Sequence, residues 1–263
     1  TLAVNLNANP TQVALLNRTD NDFDFKAATT AGIDIAVGSY TSASGTYVLN
    51  KSTGDVGITV DSTSVFGSHV QASGASTISI LGDGGIAATV SGQNTKTITV
   101  NASSGTLAVG SSAATTFNLT TTSNITLGGT SSRLSGVQTM SINVGTNTAD
   151  LSGANLGFQD MQTLSLAGAG TAATVLLNDV SGSGNNMVLT MSGLEGGVSA
   201  FNISNASGNI TIGAESMTGS IDVATLETSA LGAAVISTGT AGNFSASTVK
   251  LAGGFTLDAS AHV

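Results

Sequence analysis

The sequence predicts an all-β chain wound as an irregular, parallel β-solenoid, and three observations predict it. Apolar residues alternate with small polar ones through most of the length, as in Thr77-Ile78-Ser79-Ile80 and Thr139-Met140-Ser141-Ile142-Asn143-Val144. That is the period of a half-buried strand. The side chains are also small: 4 % of the 263 residues are aromatic, Trp is absent, and Gly (34), Ser (35) and Thr (38) fill two positions in five. A thick layered core needs larger side chains to reach native density, whereas Val, Ile, Leu, Ala and Thr fill a narrow coil interior. Finally, Gly or Asn closes most alternating segments, which suits corners where the backbone turns sharply. A long β-sandwich is the alternative architecture.

Residues 1–75 differ in make-up from the rest. Arg18, Asp20, Asp22, Asp24, Lys26 and Asp34 crowd the first 34 positions, and Pro10, Phe23, Phe25, Tyr40, Tyr47 and Phe66 also fall here. This reads as an N-terminal cap or interface segment, with solenoid coils over 76–263. In the coils, strand centres are expected at Ile78, Ile98, Leu107, Phe117, Ile125, Ile142, Leu164, Leu189, Ile203, Ile210, Ile221 and Ile236. Their spacing is too uneven for a strict hexapeptide or nonapeptide helix and fits coils of two or three short strands with loops of varying length. Asn155–Met161 and Ala224–Leu231 have room for a single helical turn at most. One phrase repeats: Val137-Gln138-Thr139-Met140-Ser141-Ile142 returns 24 residues later as Met161-Gln162-Thr163-Leu164-Ser165-Leu166, with a weaker echo at Leu226-Glu227-Thr228. The repeat reads as one strand position on successive coils.

Composition excludes several functions. Six Lys and Arg against fifteen Asp and Glu give a net charge of −9, which leaves no basic stripe to neutralise phosphates, so nucleic acid is not a partner. Without Cys there is neither a disulfide framework nor a thiolate metal site. No apolar run approaches the ~20 residues of a membrane helix. A Cys-free chain rich in Thr, Ser, Asn and Gly reads as secreted, extracellular and located at a cell surface. Thr1–Leu6 lacks the basic and apolar regions of a secretory signal and an initiating Met, as expected of a processed chain or a fragment. Few aromatics and no Trp argue against a carbohydrate-active enzyme, and the chain is read as not an enzyme.

The Gln-Thr-apolar-Ser-apolar phrase, carried by Leu134–Val144 and Met161–Ala167, resembles a recurrent phrase of bacterial crystalline surface-layer (S-layer) proteins of the type I secreted, RTX-related kind. The Ala-, Gly-, Ser-, Thr- and Val-rich background over 76–263 is similar in style. The resemblance implies a β-solenoid that tiles with copies of itself around the cell, with calcium bound and cell-surface polysaccharide as a second partner. The chain departs from that pattern in two places. The calcium-binding Gly-Gly-x-Gly-x-Asp repeat is absent, Leu81-Gly82-Asp83-Gly84-Gly85 being its nearest approach, and no secretion signal of that family is recognisable in Phe255–Val263.

Candidate ligands are few. Asp20, Asp22 and Asp24 alternate, so on a strand all three carboxylates share one face. Mutual repulsion would be relieved by a hard cation with oxygen ligands, and Ca²⁺ fits. An EF-hand does not, because Phe25 stands where that loop needs Gly and Ala31 where it needs Glu. Asp83 is the fourth candidate metal ligand. Asp150, Asp160, Asp179 and Asp222 sit near Gly or Asn and read as turn residues first, single ligands second. His69 and His262 stand far apart without a metal-binding phrase. The function expected is a structural protein that self-assembles into a surface layer or filament with calcium. The alternative is a secreted adhesin or a pilin-like fibre subunit with Thr1–Leu6 as its donor strand.

Overall fold

The computed structural model describes residues 2–6, 12–16, 23–27, 33–38, 42–43 and 46–48. It also describes 55–127 except 63, 68, 73, 83–84, 87–88, 92–94, 103–104 and 111–113, and 134–258 except 135, 154–157, 183–185, 207, 229–231 and 239–242. Among the described residues the chain is all-β. In order, the strands are β1 (Leu2–Leu6), β2 (Gln12–Leu16), β3 (Phe23–Ala27), β4 (Ile33–Gly38), β5 (Ser42–Ala43), β6 (Thr46–Val48), β7 (Val56–Val60), β8 (Val65–Phe66) and β9 (His69–Gln71). Then come β10 (Thr77–Gly82), β11 (Gly85–Ile86), β12 (Thr89–Ser91), β13 (Thr97–Ala102), β14 (Gly105–Gly110), β15 (Thr116–Thr121), β16 (Ile125–Leu127), β17 (Thr139–Asn143) and β18 (Thr148–Leu151). The last are β19 (Thr163–Gly170), β20 (Thr174–Gly182), β21 (Met187–Leu194), β22 (Gly197–Asn205), β23 (Ile210–Ser216), β24 (Ile221–Thr228), β25 (Ala234–Thr238), β26 (Phe244–Leu251) and β27 (Phe255–Asp258). Two compact units divide them, one of Thr1–Leu119 and Ile125–Leu134, the other of Thr120–Asn124 and Ser135–Val263.

In the first unit three successive coils, β3–β5, β6–β8 and β9–β11, carry three short strands each. β8, β9 and β10 pair in parallel with β11, β12 and β13 of the next coil. Strand order is β1-β3-β6-β9-β12-β14-β16 in one sheet, β2-β4-β7-β10-β13 in the second and β11-β8-β5 in the third. Inward residues stack in columns. Ile33, Val56, Ile78 and Ile98 form one column, and Ile35, Ile58, Ile80 and Val100 the next, all at most 1 % exposed. Each such side chain contributes roughly 1.5–3 kcal/mol by leaving water, and a β-branched residue suits a pleated surface.

The second unit is built on the same principle with longer strands. Its sheets run β18-β20-β22-β24-β26 and β17-β19-β21-β23-β25-β27. The strands of the first sheet turn a corner midway: in β20 the neighbours Asn178 and Asp179 are both half-buried, between inward Val175 and Leu177 on one side and inward Val180 on the other. β24 bends the same way at Ala224 and Thr225. Leu164, Leu189, Ile212 and Ile236 form an inward column on the second sheet, fully buried throughout.

Glycine makes two of these turns feasible. Gly193 has φ +63°, and a Cβ there would lie 2.1 Å from the Gly168 carbonyl oxygen. At Gly197, φ is +96° and a Cβ would meet Ser220 O at 2.6 Å. Neither backbone position admits an L side chain without strain. Polar residues stitch the corners between coils. Asn209 Oδ1 accepts from Ala233 N at 2.9 Å, Asn124 Oδ1 from Thr148 N at 2.9 Å, and Asn186 Oδ1 from Asn209 N at 3.3 Å.

The parallel solenoid expected from the alternation is the observed fold. All twelve expected strand centres lie in strands, and the repeated phrase is one strand position on adjacent coils, with Thr139 paired to Thr163 and Ile142 to Leu166. Several details differ. The coil pattern begins before residue 76, since β4 and β7 pair in parallel register, and the compact units divide between 119 and 135. Ala224–Thr228 continues β24 round its corner and forms no helical turn. The echo at Leu226–Thr228 lies in the other sheet from β17 and β19 and is not an equivalent coil position. The uneven spacing of strand centres arises because successive strands belong to different sides of the coil. Coil to coil the offset varies far less, from 19 residues at Thr89↔Ala108 to 26 at Thr148↔Thr174.

Candidate functional site

The carboxylates expected to hold a metal are placed as follows. Asp20, Asp22 and Asp83 lie outside the described residues, and Asp24 falls on β3, whose backbone alone is described. Among the described residues no three of His, Cys, Asp and Glu come together. Asp150 is a turn residue: its Oδ1 accepts from Ser152 N at 2.9 Å and from Ser152 Oγ at 2.5 Å. Asp222 Oδ2 accepts from Ser220 Oγ at 2.8 Å. Such local bonds stabilise corners and leave few lone pairs for a cation. His69 is half-buried on β9 in register with Thr46 and Thr89, and His262 lies outside the described residues.

Two shallow cavities open on the second unit. One, of about 400 Å³, is lined by Gln159, Ser181, Asn202, Ser204, Asn205 and Glu227. The other, of about 370 Å³, has Ser152, Ser199, Asp222, Ser245 and Ser247 in its wall. Each holds one described carboxylate, and Glu227 also stands 3.9 Å from Lys250 Nζ. Two flanking carboxylates, the usual equipment for glycoside hydrolysis, are not brought together in either described wall. Beside the first cavity, Asp179 Oδ1 and Asn202 Oδ1 are buried without a hydrogen bond at paired positions of β20 and β22.

The outward faces are more distinctive than the cavities. On the second sheet of the second unit, Thr139, Thr163, Val188, Thr211, Val235 and Thr256 stand in one row across six strands. Ser141, Ser165, Thr190, Gly213 and Ser237 form the adjacent row, which Asp258 continues on β27. Across β17, β19, β21, β23 and β25, Glu215 is the single ionisable residue. Val188 and Val235 are each 37 % exposed, so methyl and hydroxyl groups share a nearly uncharged face. No family model, curated protein or solved structure matches the chain.

The last coil is a further feature. Val249, Phe255 and Leu257 occupy positions paired with the buried Leu226, Ala234 and Ile236, yet they are about half exposed.

Proposed function

We propose that the protein is a structural component of a cell surface that assembles with copies of itself, as a surface-layer subunit or part of one. One observation carries this reading: the outward rows of β17, β19, β21, β23 and β25 hold a single ionisable residue, Glu215. An ordinary domain is about one-quarter charged, and charge on a sheet face keeps neighbours apart. A face of Thr, Ser and Val lets a second such face approach with little desolvation cost, because no ion pair has to be stripped of water. The resemblance at Leu134–Val144 and Met161–Ala167 points the same way, and it brings secretion, an extracellular location and cell-surface polysaccharide as a second partner into the proposal.

Calcium enters only through Asp20, Asp22, Asp24 and Asp83. The described residues offer no converging acids, and no step of assembly is routed through the ion. The test is negative-stain electron microscopy of the purified chain at rising concentration, with Ca²⁺ and with EGTA, beside a Val188→Glu/Val235→Glu variant. Ordered sheets or filaments are expected from the unaltered chain, and sharply reduced order from the variant. Loss of order in EGTA supports the calcium part, and persistence removes it. A chain that stays monomeric at all concentrations overturns the assembly reading, and binding of that monomer to polysaccharide would put the adhesin in its place.

A further inference from the structure

On the second unit, the outward side of the first sheet gathers oxygen acceptors that the chain leaves unmatched. β20 turns its corner at Asn178 and Asp179, and register sets Asp179 beside Asn202 on β22, which stands in turn beside Thr225 on β24. Neighbouring strands lie about 4.8 Å apart, so these three positions form a short polar ladder. Asp179 Oδ1 and Asn202 Oδ1 are both buried, and neither receives a hydrogen bond. Nearby donors are engaged elsewhere. Asn178 Nδ2 donates to Gly153 O at 3.4 Å, the Ser181 and Ser204 hydroxyls bond each other at 3.0 Å, and Asn205 Nδ2 donates to Asn209 O at 3.0 Å. No Lys or Arg occurs in β18, β20 or β22. Lys250, two strands from Asn202, stands 3.9 Å from Glu227. Two buried acceptors in register, one of them on a carboxylate, are costly unless a positive group satisfies them.

We propose that Asp179 and Asn202 together hold a hard divalent cation, Ca²⁺ by the chemistry of the donors, on the outward side of β20 and β22. Carboxylate and amide oxygens are the ligands such an ion takes, and Ca²⁺ accepts an irregular shell completed by water. Asn202 also lines the cavity of about 400 Å³, which gives water a way to the open side of the ion. Ser181, Ser204 and Glu227 in the same wall supply hydroxyl and carboxylate oxygens that accept from those waters. The wall offers no thiolate, thioether or imidazole, so a soft ion has nothing to select it. With a single carboxylate touching the ion, affinity falls at the weak end of the protein range, with Kd about 10⁻⁴–10⁻³ M. A bound ion ties β20 to β22 across two coils, so its structural effect is local. The site is separate from Asp20, Asp22, Asp24 and Asp83 and does not depend on assembly.

Hydrogen exchange read by mass spectrometry during a Ca²⁺ titration at constant ionic strength tests this on the full 263-residue chain. Protection of β20 and β22 should rise with Ca²⁺ in the unaltered chain, whether it is monomeric or assembled. Asp179→Asn removes the charge and should abolish that rise. Asn202→Asp adds a second carboxylate, and the Ca²⁺ midpoint should move about tenfold lower. The rival arrangement is an Asn202 amide that donates directly to Asp179. In that case Ca²⁺ leaves β20 and β22 unchanged, and Asn202→Asp lowers their protection at every Ca²⁺ concentration by setting two carboxylates in register. That pattern overturns the proposal, and so does a Ca²⁺ response that survives in Asp179→Asn. Should Asp179→Asn fail to fold, the direction of the Asn202→Asp shift decides alone. Failure of the chain to assemble bears on the proposed function and leaves this site untouched.

Discussion

Replacing Ile212 by Ala tests the narrow interior where it is most regular. The side chain is fully buried and stacked between Leu189 and Ile236 on neighbouring coils. Its loss removes three buried carbons, about 0.8 kcal/mol each, so the transfer contribution is about 2.4 kcal/mol. A cavity contribution adds to it. The strands above and below are held about 4.8 Å apart by ladder hydrogen bonds, so the column cannot collapse, and the total should reach about 3–4 kcal/mol. Thr211, the preceding residue, points outward and is half-buried, and Thr211→Ala should stay within about 0.5 kcal/mol. Native-state hydrogen exchange read by mass spectrometry suits a stacked-coil chain, because it reports local opening without assuming one global transition. In Ile212→Ala, protection should fall most in β21, β23 and β25. Equal losses at 211 and 212, or a loss below about 1 kcal/mol at 212, would refute the inward–outward assignment on which the columns rest.

Other substitutions probe the corners. Gly193→Ala forces a Cβ against the Gly168 carbonyl at a positive φ, and should cost about 1–3 kcal/mol, read as an earlier urea midpoint. Asn209→Ala removes the side-chain acceptor of Ala233 N and should cost about 0.5–1.5 kcal/mol, whereas Asn209→Asp keeps an acceptor and should fall closer to wild type; thermal melts of the three chains decide this.

Much of the fold was legible because a half-buried strand writes its period directly into the sequence. Thr77–Ile80 and Thr139–Asn143 read as strands and are strands. The same alternation runs through Ile33–Val37 and Val56–Val60. There the nearby acids and aromatics drew the reading toward a cap, although Asp34 is simply an outward position opposite Gly57. β20 was harder to read. Its alternation changes phase at Asn178–Asp179, where the strand rounds a corner and two successive residues face away from the interior. The evenness of the coils was hidden for a related reason, since strands adjacent in sequence lie on different sides and only register reveals the near-constant offset. The candidate site was less legible than the fold. Alternating acids suggest a cation wherever they occur, but a coil corner uses the same residue types to bond its own backbone, as Asp150 does with Ser152.

Sedimentation velocity on the purified chain across a wide concentration range, with calcium supplied, tests the central claim most directly. A wound interior with one nearly uncharged outward face predicts a series of species that shifts to larger mass as concentration rises. A single monomer boundary at every concentration would contradict it.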